Sequence, residues 1–358
     1  MKVETKILGI LGGGQLGRMS ALAAARLGIK THIFCPEDNC PASQVTDRFT
    51  CAEYEDLKAL EAFAASVDVI SYEFENIPLE TVQFLKKFKP VYPDEKLLAV
   101  SQNRLNEKKF LNDIGIPTAP WAAAYTAEDI DTYMKRSGMS ECIIKTTRFG
   151  YDGKGQLKHN VKDDASEIFE KLGSKELIVE GIIDFAYEMS IIAARDVFGT
   201  IESFPPVVNE HKNHILSKTV SPAYIPDNIK TQAIEMAHRL AHEVGLIGVL
   251  ALELFVSKDG RIIANEIAPR THNSGHWTMD GCTVSQFEQH VRAVCGLPVA
   301  KPIQYVRIEM INLIGDDIAH LPEYYATAGA CVHLYGKDEA RPGRKMGHVN
   351  LIKTNKQD

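Results

Sequence analysis

Ile262-Ile-Ala-Asn-Glu-Ile-Ala-Pro-Arg270, running on into Thr271-His-Asn-Ser-Gly-His-Trp277, is the stretch on which the reading of this chain turns. Ahead of it, Gly248-Val-Leu-Ala-Leu-Glu-Leu-Phe-Val-Ser257 reads as an apolar strand and Lys258-Asp-Gly-Arg261 as its turn. Asp-Gly is a strong hairpin signal, because both residues tolerate the positive φ of a type I′ turn. With Asp259 and Gly260 as the two loop residues, Lys258 pairs with Arg261. Counting back along both strands then sets Glu253 opposite Glu266 on one face. Two carboxylates so placed repel each other, and among apolar neighbours they are costly. A divalent cation resolves the conflict; hard oxygens with room for substrate phosphates suit Mg2+, with Mn2+ as an alternative ion. Asn265 adds a neutral oxygen, and Arg270 a fixed cation for a phosphoryl group or an oxyanion. The stretch points to a magnesium–nucleotide site. The plainer alternative is a solvated hairpin with two surface glutamates.

The rest of the composition is that of an ordinary globular protein. The 358 residues are 45% hydrophobic and 24% charged, enough for two or three domains with sizeable cores. A net charge of -7 argues against general affinity for nucleic acid. Seven cysteines without a CxxC pair or a regular spacing suggest reduced thiols in a cytoplasmic protein. Cys35 and Cys40 are read as incidental neighbours on a loop. The short apolar run near the N-terminus is too brief for a membrane span and lacks the form of a signal peptide.

From the hairpin toward the N-terminus, the first hundred residues alternate strand and helix. Strands are expected at 5–11, 30–34 and 67–72, and helices at 15–28, 57–66 and 79–88, which predicts a mostly parallel, doubly wound sheet. A helix over 104–114 ends at Gly115-Ile-Pro117, a stop signal. Strands at 142–146 and 177–180, a glycine-rich loop at 148–155 and a helix at 165–172 then form a small α+β unit. Beyond residue 187 come strands near 190–194, 200–204 and 215–220, a helix at 227–244, the hairpin and a β-rich tail. The division is therefore 1–103 for the doubly wound domain, 104–186 for a linker helix and lid, and 187–358 for a larger mixed domain.

Two glycine-rich segments suggest anion binding. Gly12-Gly-Gly-Gln-Leu-Gly17 fits GxGxxG between a strand and a helix, with Glu37 and Asp38 about twenty residues on. By itself that pattern suits an NAD(P)-linked oxidoreductase, or more broadly any anion held at a helix N-terminus. Phe149-Gly-Tyr-Asp-Gly-Lys-Gly-Gln156 lacks the Ser or Thr of a Walker loop, yet its backbone amides could close over phosphates. Lys145, at the end of the preceding strand, could reach them too. A dehydrogenase needs only the first loop and leaves the glutamate pair without a purpose.

Taken together, Gly12–Met19, Gly150-Tyr-Asp-Gly-Lys-Gly-Gln156, Asn265-Glu-Ile-Ala-Pro-Arg270, His272-Asn-Ser-Gly-His-Trp277 and Arg341-Pro-Gly-Arg-Lys-Met-Gly-His348 resemble the N5-carboxyaminoimidazole ribonucleotide synthetase family of ATP-grasp ligases. The resemblance runs through nearly the whole chain. It implies an ATP-grasp fold and the ATP- and bicarbonate-dependent carboxylation of 5-aminoimidazole ribonucleotide in purine biosynthesis. It also implies a homodimer, with neither nucleic acid nor membrane as partner.

The resemblance further implies roles. Arg104 and Lys145 would contact nucleotide phosphates, and Gly150, Tyr151, Asp152, Gly153, Lys154, Gly155 and Gln156 would close over them. Glu180, Gly181, Ile182 and Ile183 would meet adenine through their backbone. Glu188 would hold the ribose and His211 would lie beside the nucleotide. Glu253 and Glu266 would be the metal ligands, with Asn265 next to them. Gln15 and Leu16 would take the ribonucleotide's phosphate together with Lys337 and Arg344, and Glu75, Tyr151 and Lys154 would face its aminoimidazole side. Arg270 would hold bicarbonate and then carboxyphosphate, with His272 and Asn273 orienting the intermediate. Lys154 stands where many relatives carry arginine, and Asn76 where many carry histidine; both bear on fine substrate geometry.

Overall fold

A computed structural model describes residues 6–150 and 153–353. Tyr151 and Asp152, both expected in the closing loop, lie outside the described residues. The N-terminal sheet has four strands in the order Arg48–Cys51, Lys30–Cys35, Ile7–Leu11, Val69–Tyr72, all parallel. Its strand order reverses direction between Ile7–Leu11 and Val69–Tyr72. The carboxyl ends of the strands at such a switch point form the crevice where open α/β sheets bind ligands. Leu11 pairs with Tyr72 there, so the glycine turn and Glu73 leave the sheet side by side.

The helix Arg104–Asp113 starts at Asn103, whose side chain accepts the amides of Leu105 and Asn106, and it ends before Gly115 at φ +75°. It leads into an antiparallel sheet of Trp121–Ala124, Leu177–Gly181, Glu141–Thr146 and Gln156–Asn160. One helix of this unit, Ala127–Ser137, is held by a Thr126/Asp129 capping box and stopped by Gly138 in the left-handed region. The glycine-rich loop joins Glu141–Thr146 to Gln156–Asn160.

The third sheet has nine strands, and the C-terminal tail is part of it. From Ile262–Ala268 it runs through Gly248–Ser257, Phe185–Arg195, Val207–Lys212, Ile215–Ser221, Arg307–Ile314 and Lys345–Lys353 to Ala330–Leu334, and the ninth strand, Ile201–Ser203, pairs with Phe185–Arg195 off this path. One face packs on the helix Asp227–Glu243, whose Ile229, Ala233, Ala237, Leu240 and Ala241 make a single apolar stripe against Ile191, Leu250 and Leu252. The helix Gln286–Val294 covers the other side. Its Phe287, Val291 and Val294 also pack with Leu16, Met19 and Ala23 of the helix Gln15–Arg26, which ties the N-terminal sheet to the large one.

The decisive hairpin pairs Glu253 with Glu266, but by a different route from the simple count. The amide of Ser257 bonds the carbonyl of Arg261 at 2.9 Å, leaving Lys258, Asp259 and Gly260 as a three-residue loop with Gly260 at φ +81°. Lys258 therefore does not pair with Arg261. The pairs from Val256–Ile262 to Leu254–Ala264 are displaced by one residue, and an irregularity before Glu253 restores the register. The residue left over is Asn265, a β-bulge whose carbonyl accepts the ammonium of Lys108. The longer turn and the bulge offset each other.

Candidate active site

The three sheets enclose one cleft of about 1060 Å3, lined from Gly14, Gln15 and Leu16 at one end to Phe185 and Phe255 at the other. That is room for more than one ligand, at the top of the range for small-molecule sites. The hairpin face supplies its centre. Glu188, Ser190, Asn209 and Glu253 share that face, because Glu253 pairs with Ser190 and Asn209 with Glu188.

Arg104, Arg270, Lys145 and Lys108 each meet a carboxylate. Arg104 Nη1 lies 3.3 Å from Glu266 Oε2, and Arg270 grips Glu75 through Nε and Nη2 at 2.5 and 2.9 Å. Lys145 pairs with Glu180, whose other oxygen lies 3.2 Å from Lys108. His211 Nδ1 is 2.7 Å from Glu188, and His272 Nε2 is 3.2 Å from Glu253. These ion pairs are in place before a triphosphate enters. Burial pushes the Glu253 carboxyl up, yet the His272 hydrogen bond and the nearby His211 hold it at about 2. Glu180 is likewise held at about 2 by Lys108 and Lys145 against the effect of burial. Burial prevails at Glu107, which rises to about 7 despite Lys108 and Arg104.

At the far end an apolar slot follows the strand Leu177–Gly181. Phe185 and Phe255 stack with centroids 4.8 Å apart, and Ile143, Ile182 and Ile183 line the same region. Gly150, Gly153, Lys154 and Gln156 line the cleft from the loop, while Gly155 sits against Thr146.

The opposite end holds the GxGxxG turn, whose glycines face an internal anion. Glu73 accepts the amides of Gly14 and, at 2.7 Å, of Gly17. A Cβ on Gly12 or Gly14 would lie 2.4 or 2.6 Å from atoms of that side chain. The fingerprint that suggested a dinucleotide is filled by the chain's own carboxylate. The amides of Gln15 and Leu16, in the first turn of their helix, have no intrahelical acceptor. Cys35 and Cys40, read above as incidental, are both buried directly beneath Gly13, where an added Cβ would lie 2.7 and 2.2 Å from their sulphurs.

In the C-terminal segment, Tyr335 and Lys345 are the residues that line the cleft. Lys337 lies over the Tyr335 ring and donates to the carbonyl of Lys345 at 2.8 Å; burial and Arg344 lower it to about 8 against the pull of Glu73. Arg344 donates to the carbonyl of Glu339.

The segment after the hairpin is fixed from behind. Gln286 accepts the amide of His272 at 2.8 Å and donates to its carbonyl at 2.6 Å. Gly275 must be glycine here, since a Cβ would lie 2.1 Å from Ile192 and 2.6 Å from Gln286. Asn273 lines the cleft with both side-chain polar atoms buried and unpartnered, as a group awaiting a ligand would be. His276 also lines the cleft, its Nδ1 3.1 Å from the Gln286 amide.

Several contributors escaped the sequence reading. Glu107 accepts the amide of Ile267 at 2.6 Å, and Lys108, 1% exposed, bridges Asn265 and Glu180. Their signal was present: Arg104, Glu107 and Lys108 occupy the i, i+3, i+4 stripe of a helix that otherwise carries apolar residues inward. Glu73 and the Phe185–Phe255 pair had no comparable sequence mark.

Known proteins share the fold and much of the sequence of this chain. Residues 109–287 match the family described as ATP-grasp domain, residues 5–102 the ribonucleotide synthetase preATP-grasp domain, and residues 309–358 the phosphoribosylaminoimidazole carboxylase C-terminal domain. An N5-carboxyaminoimidazole ribonucleotide synthase of Brucella melitensis is 47% identical over 348 residues, covering 97% of this chain and 96% of the relative. The N5-carboxyaminoimidazole synthetase of Staphylococcus aureus complexed with ADP superposes with a TM-score of 0.93 at 34% identity, covering 99% of this chain and 95% of that one. The enzyme of Aspergillus clavatus in complex with ADP and 5-aminoimidazole ribonucleotide gives 0.90 at 29% identity, covering 98% and 94%.

Proposed function

From the premise that the chain belongs to the N5-carboxyaminoimidazole ribonucleotide synthase family of ATP-grasp enzymes, we infer how the cleft performs the family's reaction. The protein is an ATP-dependent carbon–nitrogen ligase of purine biosynthesis that converts 5-aminoimidazole ribonucleotide to its N5-carboxyamino product. Bicarbonate is the carbon source in this reading. The γ-phosphoryl group of ATP passes to a bicarbonate oxygen, giving ADP and carboxyphosphate. The amine then attacks the carboxyl carbon, the C–O bond to phosphate breaks, and the nitrogen loses a proton.

The observation that carries this reading is Glu253 facing Glu266, with the unpartnered Asn273 amide nearby and one cleft reaching the Gln15–Leu16 turn. The paired carboxylates fit a hard divalent ion, and Glu253 and Glu266 would hold Mg2+. Bound there, it offsets phosphate charge in the transfer. Adenine fits the slot of Ile182, Ile183, Phe185 and Phe255, with Glu188 and His211 toward the ribose. Arg104 and Lys145 exchange Glu266 and Glu180 for phosphate oxygens when ATP binds. Arg270 meets bicarbonate already oriented by Glu75, which lowers the entropy lost in positioning it. Gly150–Gln156 shields carboxyphosphate from water. The amides of Gln15 and Leu16 take the ribonucleotide's phosphate, assisted by Lys337, Arg344 and Lys345.

In the same reading the division at residues 103 and 186 marks three domains, the protein is a cytoplasmic homodimer, and Mn2+ can replace Mg2+. Among the described residues no helix is long and apolar enough to cross a membrane.

The test is ADP release from MgATP and bicarbonate, with and without 5-aminoimidazole ribonucleotide. Dependence on the ribonucleotide supports the acceptor; indifference to it rejects it. Glu266→Gln should lower kcat by at least on the order of 100-fold with little change in Tm, and near-normal turnover would sink the metal assignment.

A further inference from the structure

Behind His272 runs a chain of buried side chains that none of the roles above uses. Thr219 Oγ1 donates to Asn209 Oδ1 at 2.9 Å, and Asn209 Nδ2 donates to Ser190 Oγ at 2.9 Å. Ser190 Oγ donates to Ser274 Oγ at 2.7 Å, and Ser274 Oγ lies 2.9 Å from His272 Nδ1. Thr219, Ser190 and Ser274 are fully buried and Asn209 is 6% exposed. The residues come from three neighbouring strands and the turn Asn273–Gly275, so the sheet register itself brings them into line.

The direction of the chain follows from its donors. An amide carries its acceptor on oxygen and its donors on nitrogen, so accepting from Thr219 orients Asn209 to donate to Ser190. Ser190, having accepted, sends its proton to Ser274. Ser274 sends its own to the imidazole. The backbone amide of Ser274 also points at Nδ1, at 3.3 Å. Two donors aimed at Nδ1 require an unprotonated nitrogen there, so the ring proton sits on Nε2, which faces Glu253 Oε1 at 3.2 Å.

We propose that Thr219, Asn209, Ser190 and Ser274 form a one-way hydrogen-bond relay that fixes His272 as the Nε2–H tautomer and thereby orients the carboxylate of Glu253. They are positioning residues: none needs to touch substrate. His272 then acts as a fixed donor to a ligating carboxylate, in the manner of partners that orient a metal's ligands from behind. The part of the proposal that concerns the ion rests on Glu253 holding Mg2+; the tautomer does not.

The test uses the full-length protein with 15N-labelled histidine, the His272 ring being assigned by its loss in His272→Gln. Wild type is expected to show a bare Nδ1 and a protonated Nε2. Asn209→Asp can only accept, so Ser190 must turn its proton back toward residue 209 and Ser274 toward Ser190, and the ring loses its fixed pattern. Ser190→Ala adds no buried charge, which covers the case where Asn209→Asp fails to fold. It frees the Ser274 hydroxyl to turn from the ring and leaves Nδ1 with the Ser274 amide alone, so the Nδ1 resonance should move toward that of a weakly bonded nitrogen. In Ser190→Ala, half-saturating Mg2+ should rise on the order of tenfold while KM for the ribonucleotide holds. Thr219→Ser keeps the donor and should retain both wild-type readings. A wild-type ring protonated at Nδ1, or a Ser190→Ala ring unchanged from wild type, overturns the relay. A changed ring with unchanged Mg2+ dependence rejects the link to Glu253 and counts against the metal reading, leaving the tautomer assignment standing.

Discussion

Residues 12–17 and residues 148–155 are both glycine-rich turns at the edge of one cleft, but their glycines meet different needs. In the first, Gly13, Gly14 and Gly17 have ordinary backbone angles, and only the missing side chain explains them. Cys35 and Cys40 fill the space below Gly13, and Glu73 the space beside Gly14. In the second, Gly153 and Gly155 have φ of +77° and +71°, and even Phe149 is at +61° with its ring 68% exposed. Apart from Gly12 at φ +105°, the first turn is glycine-rich so that neighbours can come close. In the other the backbone also bends where side chains resist, and His214 and Thr146 lie 2.7 Å from Cβ atoms added at Gly153 and Gly155.

The comparison predicts a graded set of effects. Gly13→Ala should be the most damaging, since both sulphurs are enclosed; overpacking of this kind costs about 3 kcal/mol, read as a large fall in Tm. A Tm near wild type would show that the first turn gives way as the second does. Glu73→Gln comes next: an amide oxygen can serve one of the two glycine amides but its nitrogen cannot serve the other, at about 2 kcal/mol. It should raise KM for the ribonucleotide more than KM for ATP, and an equal effect on both would break the separation between the two ends of the cleft.

Acid should also weaken the domain that carries the first turn. Burial, with some help from Arg48, lowers His32 to about 4, so the folded domain prefers it neutral. Its contribution is complete above pH 6.5 and is lost as pH falls from there toward 4, reaching about 2 kcal/mol at pH 5. A Tm series from pH 7 to 5 should slope less in His32→Gln, and identical slopes would remove His32 from the account. Gly155→Ala should have a smaller effect on stability than Gly13→Ala, about 2 kcal/mol from its strained φ together with Thr146 Oγ1, 2.7 Å from the added Cβ. Its effect belongs in coupling, as more ADP released per carboxylated product; unchanged coupling would deny the second turn its shielding role.

How much of this could be read from residues alone depended on the range of the forces involved. The N-terminal alternation, the helix stop at Gly115-Ile-Pro117 and the facing of Glu253 and Glu266 all follow from local pattern, and the structure has them. Glu73 could not be placed in that way, because its partners are glycines about sixty positions earlier, brought beside it only by the pairing of Leu11 with Tyr72. Lys108 and Glu107 stand on a stripe that marks their inward face, but the stripe does not tell which distant groups they meet. Likewise the role of Gln286–Val294 as a shared wall depends on two sheets meeting across it.

The hairpin shows how a correct pairing can come from an incorrect turn. Glu253 and Glu266 are separated by an odd interval, and a two-residue loop with straight strands satisfies that parity. So does the three-residue loop with Asn265 bulged out, which is the arrangement present. Parity, and not turn type, is what the interval encodes. One residue added to or removed from either the loop or the bulge would set Glu253 against a side chain of the opposite face. A matched pair of such changes, one at each place, would return the two carboxylates to each other across a hairpin of different shape.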